Sequence, residues 1–216
     1  MKSFNRFIKN NRSFIVFILL MSVFRSAIAD WYEVPTGSMQ PTIQEGDRIL
    51  TDKMAYDLRV PFTHISLMTL NEPQSGDIVV FDSKAANNRL IKRVIATPGD
   101  TVQLINNQLI VNGKKLDYRL LTQDSNNTDK QEQLNGKRYT VRLANNGSML
   151  SNFEKVTVPE DHFLAMGDNR DKSADSRVIG FIPRDELLGK AKRVIVSLDY
   201  DNYYLPRKDR LLTQLE

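Results

Sequence analysis

The sequence predicts a mainly β protein preceded by one N-terminal membrane-spanning helix. Three observations carry this. Residues 14–24, "FIVFILLMSVF", are apolar apart from Ser22. From Glu33 onward, short apolar runs alternate with turn signals such as "SGD", "PGD" and two Asn-Gly-Lys triplets. No regular alternation of strand and long helix runs through the chain, which argues against a doubly wound parallel fold.

Taken in order, residues 1–12 form a basic N-terminus, with Lys2, Arg6, Lys9 and Arg12 and no acid. That charge bias places this end in the cytoplasm. Residues 13–29 are expected to be a transmembrane signal-anchor. The clean apolar run is shorter than the ~20 residues of a typical span, and Arg25 is expected to snorkel toward the outer headgroups. "AIAD" at 27–30 also fits a small-x-small cleavage site after Ala29. The aromatic pair Trp31–Tyr32, suited to a membrane interface, favours retention of the anchor. Residues 30–216 then form one extracytoplasmic domain, with a minor β lobe at about 103–160. Within it, "VPFTHISLMTLNEPQ" reads as a mobile or poorly periodic connection. Residues 121–137 read as an exposed polar loop, and the tail "LPRKDRLLTQLE" as a short helix or strap.

Composition narrows the function. The 216 residues include no cysteine, so disulfides, thiolate metal sites and a cysteine nucleophile are excluded. The net charge of +4 does not point to nucleic acid. The first 29 residues hold five basic side chains and no acid, which leaves 25 basic and 26 acidic residues in the remainder.

Three stretches carry chemistry. "VPTGSMQPT", residues 34–42, mounts one serine, Ser38, in a frame of prolines and a glycine. Such a frame fixes a short backbone path, either as a plain turn or as the seat of a nucleophile. "RLIKRVIATPGD", residues 89–100, puts Lys92 on one strand face with Leu90 and Val94, and Arg93 on the other with Ile91 and Ile95. A lysine among apolar neighbours loses hydration, its pKa falls, and the neutral amine can take a proton from a hydroxyl. The plainer reading is an edge strand whose lysine reaches solvent. "MGDNRDKSADSRVIG", residues 166–180, is either a solvated turn or a hydrogen-bonded platform. Its interspersed Arg170 and Arg177 oppose a divalent-cation site. His64 and His162 offer a rival base, but Asp161 beside His162 does not supply relay geometry.

In this order, behind an apolar N-terminal segment, the three stretches resemble the bacterial type I signal peptidases, or leader peptidases. "PTGSMQPT" resembles the nucleophile box, "RLIKRVIATPGD" the lysine box and "GDNRDKSADSR" the polar box. The resemblance covers roughly residues 10–200. It implies an antiparallel β-sheet catalytic core with a small β-rich inserted lobe, and a membrane-bound serine endopeptidase that removes signal peptides from exported preproteins. Carried over, Ser38 is the nucleophile and Lys92 the general base. The Ser38 backbone N–H and the Thr36 hydroxyl form the oxyanion hole. Ser173 hydrogen-bonds Lys92, Asp175 and Arg177 support the site, and Asp168 pairs with Arg93. Neither metal nor cofactor is implied.

Expected partners are preproteins with small residues at −1 and −3, membrane lipids and the protein export machinery, with no nucleic acid. Met39 and Ile91 are candidate walls for the −1 and −3 side chains. The expected location is the bacterial cytoplasmic (inner) membrane, single-pass, with the catalytic domain on the periplasmic side. Two rivals stand beside this reading: a specialised maturation peptidase of a conjugation or secretion system, and a non-catalytic anchored β-rich binding module.

Overall fold

Ile78, Val79, Val80 and Phe81 are all buried because their strand is covered on both faces. Alternate side chains feed two different cores: Ile78 and Val80 pack with Ile49, Leu188 and Val194, while Val79 and Phe81 pack with Val94, Phe163 and Leu187. The computed structural model describes residues 9–215. The strands in chain order are β1 (Ala29–Glu33), β2 (Asp47–Asp52), β3 (Asp57–Arg59), β4 (Ser66–Thr69), β5 (Ile78–Ser83), β6 (Asn88–Ala96), β7 (Thr101–Ile105), β8 (Gln108–Val111) and β9 (Lys114–Lys115). They continue as β10 (Asp117–Gln123), β11 (Asn127–Leu134), β12 (Lys137–Ala144), β13 (Phe153–Thr157), β14 (His162–Met166), β15 (Ile182–Pro183), β16 (Leu187–Asp199) and β17 (Leu205–Pro206).

The main sheet runs β1-β2-β16-β5-β6-β14-β15, with β17 added to β16. Every pairing in it is antiparallel. The meander β10-β11-β12 and the sheet β13-β7-β8-β9 occupy the stretch between β6 and β14. They cover Ile95, Ala96, Leu164 and Met166 through Val102, Leu104, Leu109, Val141 and Leu143. This third core presses the inserted strands against the two that carry the lysine and polar boxes.

Two loop expectations differ from the structure. Residues 121–137, expected to be an exposed loop, contain all of β11, where Thr128, Glu132 and Leu134 are buried. Glu132 is buried because Arg170 forks onto it at 2.6 and 2.7 Å, and Tyr139 donates to it at 2.5 Å. Those partners are remote in sequence or on the next strand, so local polarity hid the strand. Residues 60–74 are not wholly irregular either, since β4 pairs with β3 as a hairpin. The C-terminal tail is a strap with one 3₁₀ turn, tied down by Arg210 to Asp47 at 3.1 and 2.5 Å.

The N-terminal expectation is overturned. Helix α1 (Arg12–Ala27) has 16 residues, a length of ~24 Å at 1.5 Å per residue, against the ~30 Å hydrocarbon core of a bilayer. No helix among the described residues is long and apolar enough to cross a membrane. The single-pass inner-membrane placement with a periplasmic catalytic domain loses its basis with it. Arg25 does not extend the span either. It donates to Asp30 at 2.9 and 2.7 Å and stacks over Trp31 at 4.2 Å. Lys2 and Arg6, part of the expected basic N-terminus, lie outside the described residues.

Candidate active site

The nucleophile box folds as a single 3₁₀ turn, Gly37–Met39, with Thr36 in extended backbone ahead of it. Met39 and Ile43 drop into the core and anchor the turn. Ser38 stays at the surface of a cleft of about 480 Å³, lined also by Thr36, Gln40, Leu90, Lys92, Arg142 and Asn169. Met39, a candidate subsite wall, is only 1% exposed and belongs to the core instead. Leu90 and Ala174 are the aliphatic side chains that line the cleft.

Lys92 reaches this cleft from β6. Its neighbours across the sheet are Val79 and, one residue on, the Ile78–Arg93 pair. The side chain is 2% exposed, and its Nζ donates to Ser38 Oγ at 2.8 Å and to Ile91 O at 3.1 Å. Burial pulls its pKa from 10.5 down to about 8, against the upward pull of Asp175 and Asp168, with Arg177 adding to the fall. Desolvation thus outweighs two carboxylates, because neither of them bonds the amine directly.

Arg93 points to the opposite face. It forks onto Asp168 through Nε and Nη2, both at 2.8 Å, donates to Gly76 O at 2.9 Å, and lies 3.9 Å from the Tyr139 ring centre. Asp168 also accepts from Thr42 Oγ1 at 2.6 Å. The end of the nucleophile box is therefore pinned to the polar box.

The rest of the polar box is a buried clamp. Asp175 caps the short helix α2 (Ser176–Ile179) and accepts from Gly167 N at 2.9 Å. Arg177 forks onto Asp175 at 2.9 and 2.7 Å and donates to the carbonyls of Leu150 and Arg170. Ser173 is buried, but its Oγ has no hydrogen-bond partner, so the bond to Lys92 expected from sequence is not made. It packs where Gly167 leaves room. A Cβ at residue 167 would lie 2.3 Å from Ser173 Oγ and 2.4 Å from the Ser38 carbonyl oxygen. Only glycine fits there, because a methyl group would have to displace the backbone of Ser38.

Neither histidine lines the cleft. His64 borders a separate depression with Lys53 and Arg89, and His162 Nδ1 lies 2.7 Å from Glu160 O. A roomier cleft of about 780 Å³ lies elsewhere, among Lys137, Lys190 and Arg193. It holds no nucleophile–base pair, so volume does not locate the chemistry. No group of three or more histidines and carboxylates among the described residues is placed to hold a metal ion. Sequence reading missed Thr42, Asn169 and Arg142 as site residues. The first two stand inside quoted boxes, but only the fold shows what they touch.

The family model described as "Signal peptidase, peptidase S26" matches residues 6–196. Signal peptidase I of Pseudomonas aeruginosa is 32% identical over 206 residues, covering 88% of this chain and 72% of its own length. Signal peptidase I of Rickettsia bellii is 34% identical over 208 residues, covering 86% of this chain and 72% of its own. A solved signal peptidase I from Enterococcus faecalis V583 is 29% identical, covers 56% of this chain and 97% of its own, and has a TM-score of 0.36. With a family model spanning most of the chain and relatives above 30% identity along most of it, the protein belongs to the bacterial type I signal peptidases of the S26 family, serine endopeptidases that remove signal peptides from exported preproteins.

Proposed function

We propose that Ser38 and Lys92 form the dyad that performs this cleavage. The observation that carries the assignment is a 2.8 Å contact between a serine hydroxyl and a desolvated lysine whose pKa lies near 8. In the neutral amine the contact runs the other way, with Ser38 O–H donating to Nζ. The Ile91 carbonyl holds one N–H of the amine and so turns its lone pair toward Ser38.

As Ser38 Oγ bonds to the scissile carbonyl carbon, its proton passes to Lys92. The carbonyl oxygen becomes an oxyanion, and the Ser38 N–H with the Thr36 hydroxyl at the cleft edge stabilises it. When the C–N bond breaks, Lys92 returns the proton to the leaving amine. A water then gives its proton to Lys92 and attacks the acyl carbon, and Ser38 leaves with that proton. The transient ammonium has three N–H groups. Ser38 and the Ile91 carbonyl take two, and the unpartnered Ser173 hydroxyl is the candidate for the third. Asp175 and Arg177 hold Gly167, and so the floor beneath Ser38, in place. The Asp168–Arg93 pair fixes the back of the lysine strand.

The substrates read best are preproteins with small residues at −1 and −3, and the cleft beside Ser38 offers Leu90 and Ala174 as its aliphatic walls. Docking with the protein export machinery remains part of the same reading. Ser38→Ala and Lys92→Ala are each expected to abolish preprotein cleavage while far-UV circular dichroism stays native. The double variant is expected to be no worse than either single one, since the pair acts as a unit. Appreciable turnover by a single variant would remove that residue from the dyad.

A further inference from the structure

In a trans peptide the C=O and the following N–H lie in one plane and point in opposite directions. Fixing the carbonyl therefore fixes where the N–H points. The Gly37–Ser38 peptide is trans, the cis bond among the described residues being Gln40–Pro41. Its carbonyl oxygen accepts from Asn169 Nδ2 at 3.0 Å and from Gln40 N at 3.1 Å. Two donors occupy both of its lone pairs. The next carbonyl along, that of Ser38, accepts from the Asn169 backbone N–H at 3.1 Å. One residue therefore grips both carbonyls flanking the nucleophile, with its side chain on one and its main chain on the other. Asn169 is 5% exposed and lines the cleft.

We infer that Asn169 is a positioning residue that aims the Ser38 N–H at the oxyanion. This rests on the reading of Ser38 as nucleophile. Glycine at 37 leaves the preceding backbone unusually free to rotate, and an oxyanion donor works only when it meets the developing charge at hydrogen-bond distance. The Gln40 N–H comes from the same turn and moves with it. The Asn169 amide comes from the polar box, 132 residues away in sequence, and ties the peptide plane to the rigid clamp around Asp168 and Asp175. Asn169 touches no reacting atom, and its effect passes through the orientation of one peptide group.

The test compares two probes on the full chain: a substrate-derived peptide aldehyde, which adds to a serine and generates an oxyanion, and the matching peptide alcohol, which makes ground-state contacts only. Asn169→Ala is expected to weaken the aldehyde and lower kcat by about tenfold each, the scale of one lost neutral hydrogen bond. Alcohol affinity and KM stay within about twofold, and the acid limb of the rate profile does not move, because Lys92 sets it. The near-isosteric Asn169→Asp removes the same donor and is expected to lose the aldehyde preference too. It stands in if the alanine variant folds poorly, since each reading is a ratio within one folded preparation. Equal weakening of both probes, or an unchanged aldehyde preference, overturns the role of Asn169. A crystal structure of the wild-type aldehyde complex, which holds the reversible hemiacetal in place, distinguishes a failure of the nucleophile reading from a failure of this one. An adduct elsewhere than Ser38 defeats the nucleophile reading and this one with it, whereas an adduct on Ser38 with unaltered variants defeats this one alone.

Discussion

At the scale of single residues, Lys92 is the group whose chemistry and stability pull in opposite directions. As the proposed base, Lys92 must be neutral, so kcat/KM is expected to rise with pH through its pKa of about 8 and to level above it. Replacing both His64 and His162 is expected to leave that acid limb in place, since neither lines the cleft. A limb that vanished with the histidines would transfer the base role to one of them. Stability follows the same pKa with its own sign. The folded state disfavours the ammonium, so the cost is full below about pH 8, where both states are protonated, and disappears above the ordinary value of 10.5, where both are neutral. Lys92→Met is therefore expected to raise the unfolding free energy at pH 6 by on the order of 2 kcal/mol. The gain shrinks to nothing toward pH 11. Urea titrations at several pH values check this, and a gain independent of pH would mean that packing rather than charge is responsible.

At the scale of elements, β6 carries the proposed base on one face and structural charge on the other. Pleating makes that division unavoidable for adjacent residues. Lys92 faces Ser38, while Arg93, fully buried, supports Asp168 and through it Thr42. A buried pair is worth most when one partner is removed, because the other is left charged in a poor solvent. Arg93→Ala is expected to cost about 3–5 kcal/mol of stability, read from the urea midpoint. Activity is expected to survive in whatever fraction remains folded, since Arg93 lies outside the Ser38 cleft. A stable but inactive Arg93→Ala protein would move Arg93 from support into catalysis.

At the scale of the whole molecule, three cores are held together by ion pairs between distant segments. Glu132 and Arg170 join β11 to the polar box, both fully buried. Burial pushes the Glu132 carboxyl up, and the Arg170 guanidinium with two tyrosine hydroxyls overrides that, holding it below the usual carboxylate range. Its contribution is thus present above the unfolded glutamate pKa and lost as pH falls through the lower folded value. Glu132→Gln is expected to destabilise the protein by about 3–5 kcal/mol at pH 7. The difference from wild type narrows in strong acid, where the native carboxylate is itself protonated. A constant difference across pH would assign the loss to shape instead of charge.

What the sequence by itself determined is the family resemblance and its boxes: one pinned serine, one lysine on an apolar strand, a polar box, and alternating runs that make the protein mainly β. These are local properties, because turn residues act within four positions and strand faces within two. The tertiary structure decided everything that needs a partner far along the chain. Residues 121–137 look like a loop until Arg170 pairs with the buried Glu132 of β11 and the Tyr118 and Tyr139 hydroxyls donate to it. Asn169 is one polar residue among many in its box until the fold lays it against Gly37 and Ser38. Ser173 has the right identity for a bond to Lys92, yet its hydroxyl is left without a partner. The apolar N-terminal run has the composition of a membrane segment, and the described helix stops at 16 residues. Composition reports what a segment prefers as a solvent. Length, pairing and burial are settled only when distant segments compete for the same space.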